Sequence, residues 1–251
     1  MWSTKALTAY VILFAASFGL NAKPEVTGAH NLWPPYLIDK QRGFANEVVS
    51  LALKQQGHSF RFLATPFSRA MRLALAGKVD IIPALWWSES RAEQFLFSEP
   101  YYINRLILVT KNNRFLHLKQ ISELSGSRTC VIRGYRSEQV LSAVAHLHIE
   151  KLTTPKACLS QLYRGRVDAV VIDELVFLYL QNQYGHFAKL QMRDVTIAKW
   201  PLHIGVNKSH PHAETILTAF NQGFAKIKSN GEFELVLQKY LLEGLAAPVH
   251  P

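Results

Sequence analysis

The sequence predicts an α/β fold made of two similarly built lobes. Two observations carry the prediction. Short apolar runs alternate with amphipathic stretches of helical length, the pattern of strands and helices in a mostly parallel sheet. One segment also has an echo: Ala76-Gly77-Lys78-Val79-Asp80-Ile81-Ile82 returns as Arg164-Gly165-Arg166-Val167-Asp168-Ala169-Val170. Both copies keep Gly, a base, Val and Asp in order, with a helix expected before and an apolar strand after.

A chain of 251 residues is long enough for a sizeable core, and 49% apolar against 18% charged residues excludes disorder. Residues 1–22 stand apart. Lys5 is their only charge, the run from Ala6 to Leu20 is apolar, and Leu20-Asn21-Ala22 offers a cleavage site. That run is short of the roughly 20 residues a span needs, so it reads as a secretory signal peptide cleaved after Ala22. Removal takes away Lys5 and lowers the formal charge from +10 to +9. Export makes nucleic acid a poor explanation for the basic surplus, which is scattered rather than run together. It also opens the way to a bridge between Cys130 and Cys158, the only cysteines. A bridge or two buried thiols both fit the sequence.

Along the chain, Val26 to His30 forms the first expected strand, ending at Trp33-Pro34-Pro35-Tyr36. Gly43 opens a helix with Phe44, Val48 and Leu51 on one face, and Gly57 closes it. Phe60 to Leu63 is a strand, a helix runs from Phe67 to Ala76, and Val79 to Ile82 is a buried strand. The second lobe begins near Arg105 with strand Leu106 to Val109, then strand Thr129 to Ile132, a turn at Gly134 and a helix from Ser137 to Ala145. In the tail, Ile216, Phe220, Phe224 and Ile227 form a helical face that Asn230-Gly231 breaks. A last amphipathic turn or two spans Phe233 to Leu242.

Ligands of open α/β sheets bind beyond the carboxyl ends of the strands. After the first echo come Pro83, Ala84, Leu85, Trp86, Trp87 and Arg91; after the second comes Asp173. A cation and an anion on facing lobes would suit a zwitterion. Arginine's planar fork grips a carboxylate through two hydrogen bonds. Asp173 could equally cap the helix from Leu175.

At these residues the chain resembles the bacterial extracellular solute-binding proteins of family 3, the polar amino-acid binding proteins of ABC importers. The matching segments are Trp33-Pro34-Pro35-Tyr36, Gly43-Phe44 with Glu47, Gly77 to Ile82, Ser90 to Tyr101, Gly165 to Asp173 and Asn230-Gly231. The resemblance implies a two-lobed periplasmic binding protein fold of type II, a Venus-flytrap clamp with two chain crossovers. It divides the chain into a signal peptide (1–22), a first lobe (23–104), a second lobe (105–206) and C-terminal helices returning to the first lobe (207–251). The crossings would lie near Ile103–Arg105 and Ile204–Val206. It also implies that Arg91 binds the ligand's carboxylate, Asp173 its amino group, and Trp33 and Phe67 sandwich it.

Departures from that pattern shift the expected solute. The family's small hydroxyl residues after the first echo are here Pro83, Ala84 and Trp86. Its small Gly-Ser/Thr turn is Gly134-Tyr135-Arg136, which adds bulk and a second cation, and His30 stands where some members carry an acid. These residues argue against lysine, arginine or histidine and for a more anionic or aromatic solute, with Trp86 and Arg136 joining the ligand-binding set.

No phosphate loop, zinc-protease motif or serine-hydrolase elbow occurs. The pairs His146/His148 and His210/His212 lack Cys or acid ligands nearby, so neither metal nor cofactor is expected. The expected function is a monomeric periplasmic binder that passes a small carboxylate-bearing, amino-acid-like solute to an ABC permease. The alternatives are a lyase resembling the cyclohexadienyl dehydratases, with Asp173 or Glu174 as acid, and a ligand-binding sensor module.

Overall fold

The computed structural model describes residues 23–111, 115–133, 135 and 137–243. The expected signal peptide, Gly134 and Arg136 lie outside the described residues. Among the described residues, no helix is long and apolar enough to cross a membrane.

The first half holds β1 (Val26–His30), α1 (Phe44–Lys54), β2 (Phe60–Ala64), α2 (Phe67–Leu75), β3 (Ile81–Trp86), α3 (Glu89–Ala92) and β4 (Phe95–Phe97). Strand β5 (Tyr102–Thr110) leads into the second half. There follow a short 3-10 helix, β6 (Arg128–Ile132), α4 (Ser137–Leu141), β7 (His148–Leu152), α5 (Pro155–Tyr163), β8 (Ala169–Asp173) and α6 (Glu174–Gln183). After a second 3-10 turn, β9 (Gln191–Asn207) returns to the first half, and α7 (Ala213–Ser229) and α8 (Glu232–Glu243) end the fold.

One sheet runs through both halves in the order β2-β1-β3-β9-β5-β8-β6-β7, with β4 on β9. The expectation of a mostly parallel sheet is corrected. Pairing is parallel within β2-β1-β3 and β7-β6-β8 but antiparallel wherever β5 or β9 takes part. A strand entering the other half and one returning from it must run in opposite directions. Residues 202–206, set in the second lobe by the sequence, pair here with β3 and β4.

The echo has the same physical role in both halves. Asp80 N–H donates to Thr27 O at 2.9 Å, and its carboxylate accepts from Thr27 N at 2.6 Å. Asp168 N–H donates to Arg128 O at 2.7 Å, and its carboxylate accepts from Arg128 N at 2.8 Å. Each Asp thereby fastens the entry of one strand to its parallel neighbour. Gly77 and Gly165, at φ 63° and 71°, end the preceding helix in the left-handed region. Strand β3 begins one residue after Asp80 and not at Val79, because the Asp80 side chain occupies the Thr27 backbone donor that a ladder would otherwise use.

Other boundaries also move. Pro83 lies inside β3, where the register against β9 shifts between Ile82 and Leu85; an irregular stretch tolerates the missing N–H. The helix expected to reach Ala145 stops at Leu141, and the tail carries a 12-residue helix in place of a turn or two. Strands β4, β7 and most of β9 are additional to the elements that the sequence predicts.

Helix α1 buries Phe44, Val48, Val49 and Leu53, each worth roughly 1.5–3 kcal/mol in removed apolar surface. Its partner is α7, whose buried face carries Ile216, Phe220, Phe224 and Ile227 as expected. At the contact a Cβ on Gly223 would fall 1.8 Å from the Ala52 carbonyl oxygen. Cys130 on β6 and Cys158 on α5 are joined by a disulfide with Cα atoms 5.6 Å apart.

Candidate functional site

The carboxyl ends of β1, β3 and β6 converge on a cavity of about 230 Å³. Trp33, Phe67, Trp86 and Arg91 line it, together with Arg133 and Tyr135. His30, Asn31, Ala84 and Leu85 complete the wall.

Each side chain is held by its element. Trp33 N–H donates to Leu37 O at 2.8 Å and Leu37 N–H to Trp33 O at 3.0 Å, closing the Pro34-Pro35 turn on itself. Gly43 tightens this turn against α1: its φ is 133°, and a Cβ there would meet the Tyr36 oxygen at 2.4 Å. Phe67 opens α2, and Thr65 N–H donates to His30 O at 3.0 Å, which sets β1 and the Phe67 turn side by side. The His30 and Phe67 rings lie 4.8 Å apart. Arg91 rides on the four-residue α3, capped by Ser88, and its Nη1 donates to Trp86 O at 2.7 Å. Its guanidinium also sits 5.6 Å from the Phe67 ring centroid.

Trp33, Trp86 and Tyr135 stand mutually edge-on. Trp33 and Trp86 are 5.3 Å apart at 88°, Trp86 and Tyr135 5.9 Å at 85°, and Trp33 and Tyr135 6.4 Å at 84°. This geometry is favourable for ring quadrupoles, so the three form one wall. Trp33 and Trp86 come from the first half and Tyr135 from the second, and the wall joins the two.

Asp173 does not line the cavity, where the resemblance would set a partner for an amino group. It is fully buried, at 0% exposure. Tyr36 Oη donates to its Oδ1 at 2.8 Å, Asn104 Nδ2 donates to its Oδ2 at 2.8 Å, and Val176 N–H donates to Oδ1 at 3.1 Å. The capping role for α6 is therefore present. Asn104 also donates to Tyr36 Oη at 2.6 Å and accepts from Trp86 Nε1 at 2.9 Å. A buried network thus links the Trp86 wall, the first crossing strand and both halves. Burial pushes the Asp173 carboxyl up to about 6, although its three donors act in the other direction. Burial and the charge of Asp173 drive the Tyr36 phenol far above its usual range, so it stays a neutral donor. The alternative acid, Glu174, is paired with Arg105 at 3.0 Å.

His30, 6% exposed, is pushed down to about 4 by burial, with the Arg91 charge acting in the same direction. The cavity therefore carries two guanidiniums and a neutral imidazole near neutral pH. Among the described residues no Asp or Glu lies on its wall, and no group of three or more His, Cys, Asp or Glu side chains could hold a metal. Sequence reasoning overlooked Arg133. It directly follows β6, so the carboxyl-end rule would have found it. Asn104 carried no such signal, since nothing local marks a mid-strand Asn as a network centre.

Comparison with known proteins extends this picture. A family model described as bacterial extracellular solute-binding proteins, family 3, matches residues 26–243. A Campylobacter jejuni protein named "Probable histidine-binding protein" is 24% identical over 223 residues, covering 81% of this chain and 78% of its own. The "ABC transporter arginine-binding protein 1" of Escherichia coli strain K12 is 23% identical over 94% of this chain and 98% of its own. Among solved structures, "An ancestral arginine-binding protein bound to arginine" superposes with a TM-score of 0.70 at 25% identity, covering 86% of this chain and 97% of that one.

Proposed function

The chain belongs to the bacterial extracellular solute-binding proteins of family 3, and from that premise we propose that it captures a small carboxylate-bearing solute with an amino-acid-like skeleton for an ABC importer. The observation that carries the reading is the cavity itself. It lies where three strands end, its walls come from both halves, and Arg91 stands beside an aromatic wall. Arg91 is the carboxylate anchor, Phe67 and Trp33 hold the solute's body, and Trp86 and Tyr135 complete the wall. Relatives bearing binding-protein names support a binder over a lyase. Residues 1–22 direct the chain to the periplasm and are cleaved after Ala22, and the mature protein works as a monomer.

Function then follows from the topology. The halves meet through β5 and β9, and a solute touching both favours the closed arrangement of a hinged clamp. Closure removes water, which strengthens the pairing of a carboxylate with a guanidinium. Arg136 adds a further cation in this reading.

Thermal-shift screening of amino acids, dicarboxylates and aromatic acids tests the proposal. A solute at a hundred times its Kd stabilises the folded state by about 2.7 kcal/mol. The Tm should rise for at least one carboxylate, and Arg91→Ala should abolish the rise while leaving the unliganded Tm close to that of the parent. A set of carboxylates that all leave the Tm unmoved would count against the reading.

A further inference from the structure

We propose that this cavity selects a carboxylic acid with an aromatic or bulky apolar body and no α-ammonium, so that the deaminated acid is preferred over the amino acid of the same skeleton. The proposal rests on the solute-binding reading above and narrows it.

Recognition of an amino acid needs a partner for the carboxylate and one for the ammonium. The first is present: Arg91 and Arg133 both line the cavity. A charged partner for the second is missing from the wall among the described residues. No carboxylate lines the cavity among the described residues. Gly134 and Arg136, which flank Tyr135 outside those residues, add no acid.

The carboxylate that the sequence offers for the ammonium is Asp173. In this arrangement it has 0% exposure and lies off the cavity wall, so a solute in the cavity does not touch it. Its oxygens already receive three hydrogen bonds, from Tyr36, Asn104 and the α6 backbone. Reaching it would mean displacing the Tyr36 phenol, which itself accepts from Asn104. An ammonium in the cavity would instead be stripped of water beside like charges with no anion opposite, which is costly in a medium of low dielectric.

The aromatic groups do not substitute for the missing acid. A cage for a cation presents ring faces around an open centre. Here Trp33, Trp86 and Tyr135 spend their mutual approach on edge-on contacts with one another. The remaining ring, Phe67, already has the Arg91 guanidinium over it. Such a wall suits the flat or bulky body of an acid whose carboxylate points to the arginines. Neutral His30 beside Phe67 extends the same surface.

The test compares matched pairs by isothermal titration and by the emission of the cavity tryptophans, on the mature chain near neutral pH. The pairs are L-phenylalanine with phenylpyruvate and 3-phenylpropanoate, and L-tryptophan with indole-3-acetate; glycine betaine is added as a cation probe. The expected result is at least tenfold tighter binding of a deaminated acid than of its amino acid, lost on Arg91→Ala and changed less than threefold by Asp173→Asn. Tighter binding of the amino acid overturns the proposal but leaves the solute-binding reading standing, as does preference for betaine. If neither these probes nor the wider screen of carboxylates binds, the solute-binding reading falls with it. The paired comparison needs no variant, so a poorly folding Asp173→Asn protein does not weaken the test.

Discussion

Asp173 and His30 are both buried titratable groups, yet they respond to pH in opposite directions. The Asp173 carboxyl is raised to about 6, so the stability linked to its protonated form is complete below about 4 and lost as pH rises through 6. Tyr36→Phe removes a donor to the ionised form and raises this carboxyl further. We expect it to cost about 1–3 kcal/mol at pH 7.5 and clearly less at pH 4, read from urea unfolding at the two pH values. His30, lowered to about 4, behaves the other way. The stability linked to its neutral form is complete above about 6.5 and lost as pH falls through 4. Over that window the loss is about 3 kcal/mol at most. His30→Gln should flatten the acid limb of the stability profile between those values, seen as a smaller fall in Tm from pH 6.5 to 4.

At the scale of elements, Gly223 sets how closely α1 and α7 approach. The Gly223 position leaves no room for a Cβ, since the obstructing atom is the Ala52 backbone carbonyl and not a movable side chain. Gly223→Ala should therefore force the two helices apart and cost about 1–3 kcal/mol in denaturant unfolding, despite alanine's higher helix propensity. A gain in stability would show that the contact yields. The two echoed Asp residues belong to the same scale. They resemble functional residues in sequence because they repeat, but their work is to fasten β1 to β3 and β6 to β8.

For the whole molecule, the sheet through both halves and the Trp33–Trp86–Tyr135 wall decide how the halves meet. The disulfide acts within the second half alone. It closes a loop with a sequence separation of 28, for which the chain-entropy model gives roughly 3.5 kcal/mol. Both cysteines are buried, so reductant reaches the bridge only through unfolding. The paired Cys130→Ala, Cys158→Ala variant should melt several degrees below the parent, and added reductant should leave the native parent's near-ultraviolet spectrum unchanged well below its Tm. A variant with the parent's Tm would assign the bridge no role in stability.

By itself the sequence determined the α/β class, the echoed Gly-base-Val-Asp segment of each half, the α7 face and the strand ends where Trp33, Phe67, Trp86 and Arg91 gather. Those features rest on periodicity, glycine punctuation and short-range order, which are local and therefore written along the chain. Only the tertiary structure decided that the sheet is mixed, that Arg133 joins the wall and that Asp173 leaves it. These outcomes depend on which residues meet from distant segments. Tyr36, Asn104 and Asp173 are 68 and 69 residues apart in turn, and no local pattern reports that the three close on one another. A carboxylate at a strand end reads the same whether it faces a solute or a phenol; burial and its donors decide which, and both are properties of the folded chain.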